Sequence, residues 1–218
     1  KEKDVIVLID AEESWMQNAA DNLVMQMMQL YNTEKPIVYN TLQMYRHDRM
    51  VYLKEQTKLA QEKNYFLGFK LVRGAYMEKE NERAETNGYI SPICRSKQFT
   101  DENFNNAAEY MLNNLKIMSL FAGTHNEDSS YLVMDIMKAK NISKNDNRVW
   151  FGQLYGMSDH ISFNLADKGY NVAKYVPFGP VKDVMPYLIR RAEENTSVAG
   201  QTNRELNLLK TEKKRRRI

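Results

Sequence analysis

The residues best placed to do chemistry lie in Phe66-Leu67-Gly68-Phe69-Lys70-Leu71-Val72-Arg73-Gly74-Ala75-Tyr76, which reads as a strand running into a cationic, glycine-bearing turn. Alternate residues of a strand point to opposite faces. Leu67, Phe69 and Leu71 therefore form an apolar set suited to a covering helix. Gly68, Lys70 and Val72 share the other face, where a lysine has little room. A buried ammonium without a partner is costly, so Lys70 needs an anion, a carbonyl-rich ligand or water. A ligand and a neighbouring carboxylate both meet that need. Beyond the strand, Arg73, Gly74 and Tyr76 offer a cation, a close approach of backbone to a ligand, and a phenol. Thr124-His125-Asn126 closes another strand; it can hydrogen-bond a ligand, or Asn126 can cap the helix that carries Tyr131 and Leu132. Arg190-Arg191 followed by Glu193 and Glu194 reads locally as a solvated helix face with spacing-four contacts.

Other chemistries find no support. The sequence has no GxGxxG and no GxxxxGK[ST]. His47, His125 and His160 lack zincin spacing, and the single cysteine, Cys94, can build neither a Cys-rich zinc site nor an intramolecular disulfide. A net charge of +3 is too small to argue for nucleic acid. No apolar run is long enough to span a bilayer and no secretory leader stands at the start.

The elements that must position these residues follow from pattern. With 218 residues and 43% hydrophobic content, one substantial core is expected. Short apolar runs at Val5–Ile9, Pro36–Asn40, Phe66–Val72, Met118–Gly123, Arg148–Gly152 and Val172–Val176 predict strands. Helical spacing covers 13–31, 48–62, 128–140 and Val181–Asn195, with Pro186 expected to kink or restart the last of these. Most strands recur about every 30 residues, the size of a βα unit, which implies a parallel sheet. The interval from Tyr76 to Met118 is longer and needs an extra helix or loop. Nearly every strand ends in polar residues: Asp10 with Glu12 and Glu13, Asn40 to Gln43, Arg73 and Tyr76, Thr124 to Asp128, Gln153. A doubly wound sheet gathers function at one switch point, whereas a (β/α)8 barrel collects it from many strand ends. The barrel fits better. Six βα units are visible, so about two further units are expected upstream of Lys1. Residues 1–203 are expected to be the C-terminal portion of a single barrel, and 204–218 a basic helical tail, solvated or lying on a membrane surface.

Taken together the motifs resemble the proline dehydrogenase family in its eukaryotic, mitochondrial form. The resemblance runs through Asp10-Ala11-Glu12, Lys70 to Tyr76, Ala122 to Asp128, Gly152-Gln153-Leu154-Tyr155-Gly156-Met157, Lys174 to Pro180 and Tyr187 to Asn195. It implies a distorted (β/α)8 barrel whose final helix lies across its mouth, and it replaces the solvated reading of the arginine pair. It further implies non-covalent FAD and hydride transfer from C5 of L-proline to flavin N5, giving Δ1-pyrroline-5-carboxylate. Ubiquinone would be the electron acceptor, at the matrix side of the inner mitochondrial membrane. Gln43, Lys70, Val72, Arg73, Gly74, Ala75, Thr124, His125, Asn126, Gln153, Arg191 and Glu194 would serve the cofactor. Arg190 and Arg191 would clamp the substrate carboxylate. Tyr175, Tyr187, Leu154, Ala75 and Tyr76 would wall the ring, with Asp10 close by. Between Gly88 and Lys97 the chain departs from the family, so no adenine-end contact is carried over. Hydroxyproline oxidation is the near alternative, and Tyr175 argues against it. A non-catalytic barrel remnant is the more distant alternative.

Overall fold

The computed structural model describes residue 3, residues 5–197 and residues 199–217, without the side chains of 192–205. Six strands form one sheet: β1 (Val7–Ile9), β2 (Val38–Gln43), β3 (Leu67–Val72), β4 (Met118–Gly123), β5 (Val149–Leu154) and β6 (Val172–Tyr175). They pair in chain order and every pairing is parallel. Between them run α1 (Ser14–Tyr31), α2 (Arg49–Lys63), α3 (Met77–Asn87), α4 (Lys97–Asn113), α5 (Glu127–Ala139) and α6 (Asp159–Asp167). Two helices follow β6: α7 (Val181–Ser197) and α8 (Ala199–Arg216). The sheet curls, because Ile6 and Leu8 at one end and Ala173 at the other line one cavity with Tyr39, Phe121 and Trp150. The result is a half-barrel whose βα loops all lie on one rim.

The convex face holds the core. Leu67, Phe69 and Leu71 are fully buried with Leu120, Ala122, Val149 and Phe151, against Phe104, Ala107, Ala108 and Met111 of α4 and Val133 and Met137 of α5. Burying each large apolar side chain contributes about 1.5–3 kcal/mol, so this layer dominates the stability. On the concave face large side chains lie over small ones. A Cβ on Gly68 would meet the Tyr39 ring at 2.6 Å, and one on Gly152 would meet the Phe121 ring at 2.2 Å. These rings cover the two glycines and line the apolar cavity on the concave face.

Polar side chains behind the sheet set the register. Asn32 is buried; its amide donates to the carbonyls of Val38 and Phe66 and accepts from the amides of Ile37 and Val38. Asp21 accepts from Gln17, Asn40 and Arg49, which ties α1 to β2 and α2.

All six expected strands are present; β1 and β2 start two residues late, at Val7 and Val38, and two strands run past their expected ends. β2 runs to Gln43 and β5 to Leu154, beyond the expected ends at Asn40 and Gly152. Polar residues continue these strands because each finds a partner: Asn40 in Asp21, Thr41 in the Ile9 carbonyl, Gln43 in the Glu12 carbonyl, Gln153 in Thr124 and Ser162. The long interval after Tyr76 holds two helices, α3 and α4. Helix α7 passes through Pro186 without restarting. The proline removes only the bond to the carbonyl of exposed Lys182, which water can satisfy.

Candidate active site

The site lies on the rim formed by the C-terminal strand ends. Strand parity turns Lys70 and Val72 of β3 inward, next to Gly123 of β4, while Leu154 of β5 pairs with Tyr175 of β6. Lys70 donates to Asp10, which follows β1, so the cation has a carboxylate partner across β2. The Lys70 side chain is 15% exposed and that of Asp10 52%, which makes the carboxylate the wet end of the pair. The loop after Asp10 meets the start of α3: Tyr76 donates to Glu12 at 2.5 Å and Lys79 donates to Glu13. The Lys79 hydrogen bond holds the Glu13 carboxyl below the usual carboxylate range. Burial, and then the Glu12 carboxylate, push the Tyr76 phenol up.

Helix α7 supplies the opposite wall. The Tyr187 ring tilts against Tyr175 with centroids 5.5 Å apart, and the Arg191 guanidinium lies 5.1 Å from the Tyr187 centroid. Arg190 reaches Tyr76, 3.5 Å from its hydroxyl and 5.8 Å from its ring centroid. Asp10, Lys70, Leu154, Tyr175, Tyr187, Tyr76 and Arg190 thus ring one mouth. The rim carries an ammonium, a guanidinium and facing phenol rings, groups suited to a flat ring system that gains electron density and to a small anionic substrate.

Other expected residues are brought to the same rim but committed to the protein. Arg73 points outward; its Nε donates to Asp101 and its two terminal nitrogens to Thr124 and Ser129, over the Phe104 ring. Gly74 has φ +130°, and an added Cβ would meet the Tyr45 ring at 2.6 Å, so its close approach is to Tyr45. Asn126 caps α5 by accepting from the Ser129 amide at 2.8 Å. Gln153 is buried, donating to the Thr124 carbonyl and accepting from Ser162. Gln43 faces the interior and donates to the Glu12 carbonyl. His125 lies 2.9 Å from Ser158, and its pKa is lowered to about 4 by burial, then by Lys174, Arg191 and His160. Its imidazole is therefore neutral at physiological pH. Ala75 is exposed on the rim. The side chain of Glu194 lies outside the described residues.

The family profile for proline dehydrogenase matches residues 1–204. The chain belongs to the proline dehydrogenase family. Proline dehydrogenase 1, mitochondrial, from Dictyostelium discoideum is 43% identical over 99% of this chain and 39% of its own length. The protein of the same name from Homo sapiens is 40% identical over 99% of this chain and 36% of its own. The chain spans about two fifths of the length of these relatives. A crystal structure of proline utilization A from Bdellovibrio bacteriovorus inactivated by N-propargylglycine superposes with a TM-score of 0.84 at 30% identity, covering 91% of this chain and 21% of that one. The curled parallel sheet thus matches the TIM-barrel-type domain of a proline dehydrogenase, as the alternation of strands and helices predicts.

Sequence reasoning placed Glu12 at a strand end but missed Glu80 and Lys79 as members of this rim. Their partners are distant in the chain; Ser14 and Glu80 are 66 positions apart. No local pattern announces such a pairing.

Proposed function

We propose that this chain forms most of the substrate and cofactor wall of an enzyme that oxidises L-proline to Δ1-pyrroline-5-carboxylate, with FAD as cofactor. The observation that carries this reading is the convergence of Lys70, Tyr175, Tyr187 and Arg190 on one mouth. Family membership supports the same substrate. The rim fits a flavin by its donor chemistry: one ammonium beside Val72 and Gly123 on the inward face suits a planar, mostly apolar ring with a polar edge. FAD, when bound, supplies the hydride-accepting chemistry, at N5 toward C5 of proline.

The residues of the chain bind and orient. Lys70 places positive charge where negative charge develops on reduction, and Asp10 holds that ammonium in place. Arg190 and Arg191 clamp the substrate carboxylate through planar forks that a lysine cannot reproduce. Tyr175, Tyr187, Leu154, Ala75 and Tyr76 wall the proline ring and keep water from it. Gln43, Val72, Gly74, Thr124, His125 and Asn126 shape the cofactor side, with Glu194 supporting it. Arg73 and Gln153, whose polar groups are engaged within the protein, hold the strand ends on which the cofactor rests.

Ubiquinone is the proposed electron acceptor and the matrix side of the inner mitochondrial membrane the proposed location, in line with relatives named as mitochondrial. The basic end of α8, Lys213-Lys214-Arg215-Arg216, is the proposed site of peripheral contact with that membrane. Residues 1–203 act as barrel and 204–218 as tail in this reading. The test is an absorbance spectrum of the purified full-length protein. A yellow protein that bleaches on L-proline without added NAD is the expected result. A folded protein that stays colourless when FAD is supplied overturns the proposal.

A further inference from the structure

Glu80 has no role in the reading above, yet its side chain is the most completely buried carboxylate among the described residues, at 0% exposure. A buried charge needs compensation. Here it comes from the N-terminus of α1: Glu80 accepts from the Ser14 amide and from the Ser14 hydroxyl, both at 2.6 Å. Ser14 opens α1, and the preceding N-cap, Glu13, offers the helix no side-chain bond of its own. A carboxylate from α3 thus does the work of a local cap, at the positive end of the helix dipole.

The contact joins the segment from Asp10 to Ser14 with that from Lys70 to Glu80, whose residues meet in matching order. Asp10 meets Lys70, Glu12 meets Tyr76, Glu13 meets Lys79 and Ser14 meets Glu80. In the first three pairs, two ion pairs and the Tyr76–Glu12 hydrogen bond, at least one side chain is open to solvent, and such exposed contacts fix little on their own. The fourth is buried and charge-assisted. On the Glu80 side, Tyr45 lies close enough for the carboxylate to add to burial in raising its phenol pKa, and the Tyr45 ring sits against Gly74. On the Ser14 side, Gln43 holds the Glu12 carbonyl. The clip therefore has packed or hydrogen-bonded neighbours on both sides, and the loop it joins carries Glu12 to Tyr76, the residue that Arg190 touches.

We propose that Glu80 is a positioning residue for the substrate pocket: by clamping Ser14 it holds the 10–14 loop so that Glu12 orients Tyr76 beside Arg190. This rests on the reading of Tyr76 and Arg190 as part of a proline pocket. The step involves no bond making; Glu80 touches neither substrate nor cofactor.

The experiment uses the full-length protein with Glu80→Gln, Ser14→Ala, Glu12→Gln and the Glu80→Gln/Glu12→Gln double variant. Flavin content, thermal midpoint, kcat and KM for L-proline are measured on each. Glu80→Gln is expected to raise KM by about tenfold, with kcat changing less than about threefold and flavin retained. Ser14→Ala is expected to shift KM the same way by a smaller factor, because the backbone amide still donates. The double variant is expected to have a KM within about twofold of the worse single variant, since both changes act on one arrangement. A lowered midpoint with unchanged KM would make Glu80 a stabilising cap only. Multiplying effects in the double variant would separate Glu80 from Glu12 and also overturn the proposal. If Glu80→Gln yields no folded protein, Ser14→Ala decides, and an unchanged KM refutes positioning. A wild-type protein that does not oxidise L-proline removes the proposed function itself, and this inference with it. An active wild type with neutral variants removes the inference alone.

Discussion

Lys70 reaches across a whole strand to find its counter-charge: it stands on β3 and donates to Asp10 at the end of β1, with β2 between them. The curl of the sheet makes that reach possible. The pair is neutral as it stands, with its carboxylate half exposed and its ammonium 15% exposed, so a ligand that takes the ammonium as its partner competes with Asp10 for it.

Replacing Lys70 by Met tests whether that cation serves a ligand or merely pairs with Asp10. Met keeps the stem and removes the charge. In the full-length protein kcat/KM for L-proline is expected to fall by about 10²–10³-fold, the range seen when one preorganised electrostatic donor is lost. Stability is expected to change by only about 0–1 kcal/mol, because the pair is open to water on the Asp10 side. Kinetics and a thermal midpoint check both, and wild-type kcat/KM in the variant would leave Lys70 a strand cation with a neighbourly partner.

Much of this fold is legible in the chain, and so is which strand ends carry the polar residues of the candidate rim. The faces of β3 follow from alternation alone, because Leu67, Phe69 and Leu71 are apolar and Lys70 is not. The lysine's need for an anion was legible too, although which anion was not. Asp10 lies 60 positions earlier, and only the sheet's curl brings it near. Polar strand residues such as Gln43 and Gln153 misled the boundaries, since sequence shows a polar residue but not the distant carbonyl that satisfies it. The partners of Arg73 were not legible for the same reason; Asp101, Thr124 and Ser129 come from three later segments.

Tyr175 faces Tyr187 across the mouth, and its ring is expected to exclude a hydroxyl on C4 of the substrate ring. Tyr175→Ser should therefore relax discrimination against trans-4-hydroxy-L-proline. Relief of such a clash recovers on the order of 1–3 kcal/mol of transition-state binding. The ratio of kcat/KM for the two substrates is the quantity to follow. An unchanged ratio in a folded variant would mean another residue sets the wall.

His125 makes stability depend on pH in a defined window. Its folded pKa, about 4, is below the ordinary value of 6.5, mainly because burial disfavours the imidazolium. Between those values the unfolded chain binds a proton that the folded one refuses. Stability is therefore full above 6.5 and is lost as pH falls toward 4, by on the order of 1–3 kcal/mol. The carboxylate of Asp48, lowered to about 2 from 3.8 by hydrogen bonds from Arg49 and Arg46 that outweigh the effect of its burial, is lost in a separate window below 4. Thermal midpoints from pH 7 to 4 for wild type and His125→Asn should show the slope flatten in the variant. Parallel curves would assign the acid sensitivity elsewhere.

Arg190 is exposed on α7, where a purely solvated arginine tolerates lysine with a stability change within about 0.5 kcal/mol. Its guanidinium instead leans toward Tyr76, which donates to Glu12, so the fork is presented to the mouth by a neighbour that is itself held. Lysine at this position keeps the charge and loses the planar fork; methionine removes both. If the fork binds the substrate carboxylate, Arg190→Lys costs roughly 1–3 kcal/mol in kcat/KM while flavin content and thermal midpoint hold. Arg190→Met costs more, since a desolvated carboxylate then faces one cation fewer. Arg191→Met is expected to lower flavin occupancy as well, because that side chain lies over Tyr187 deeper in the mouth. Flavin occupancy, midpoint and kcat/KM on the three full-length variants separate these effects. Near-wild-type kcat/KM in Arg190→Met would return this arginine to an ordinary solvated helix face and leave the carboxylate to other donors.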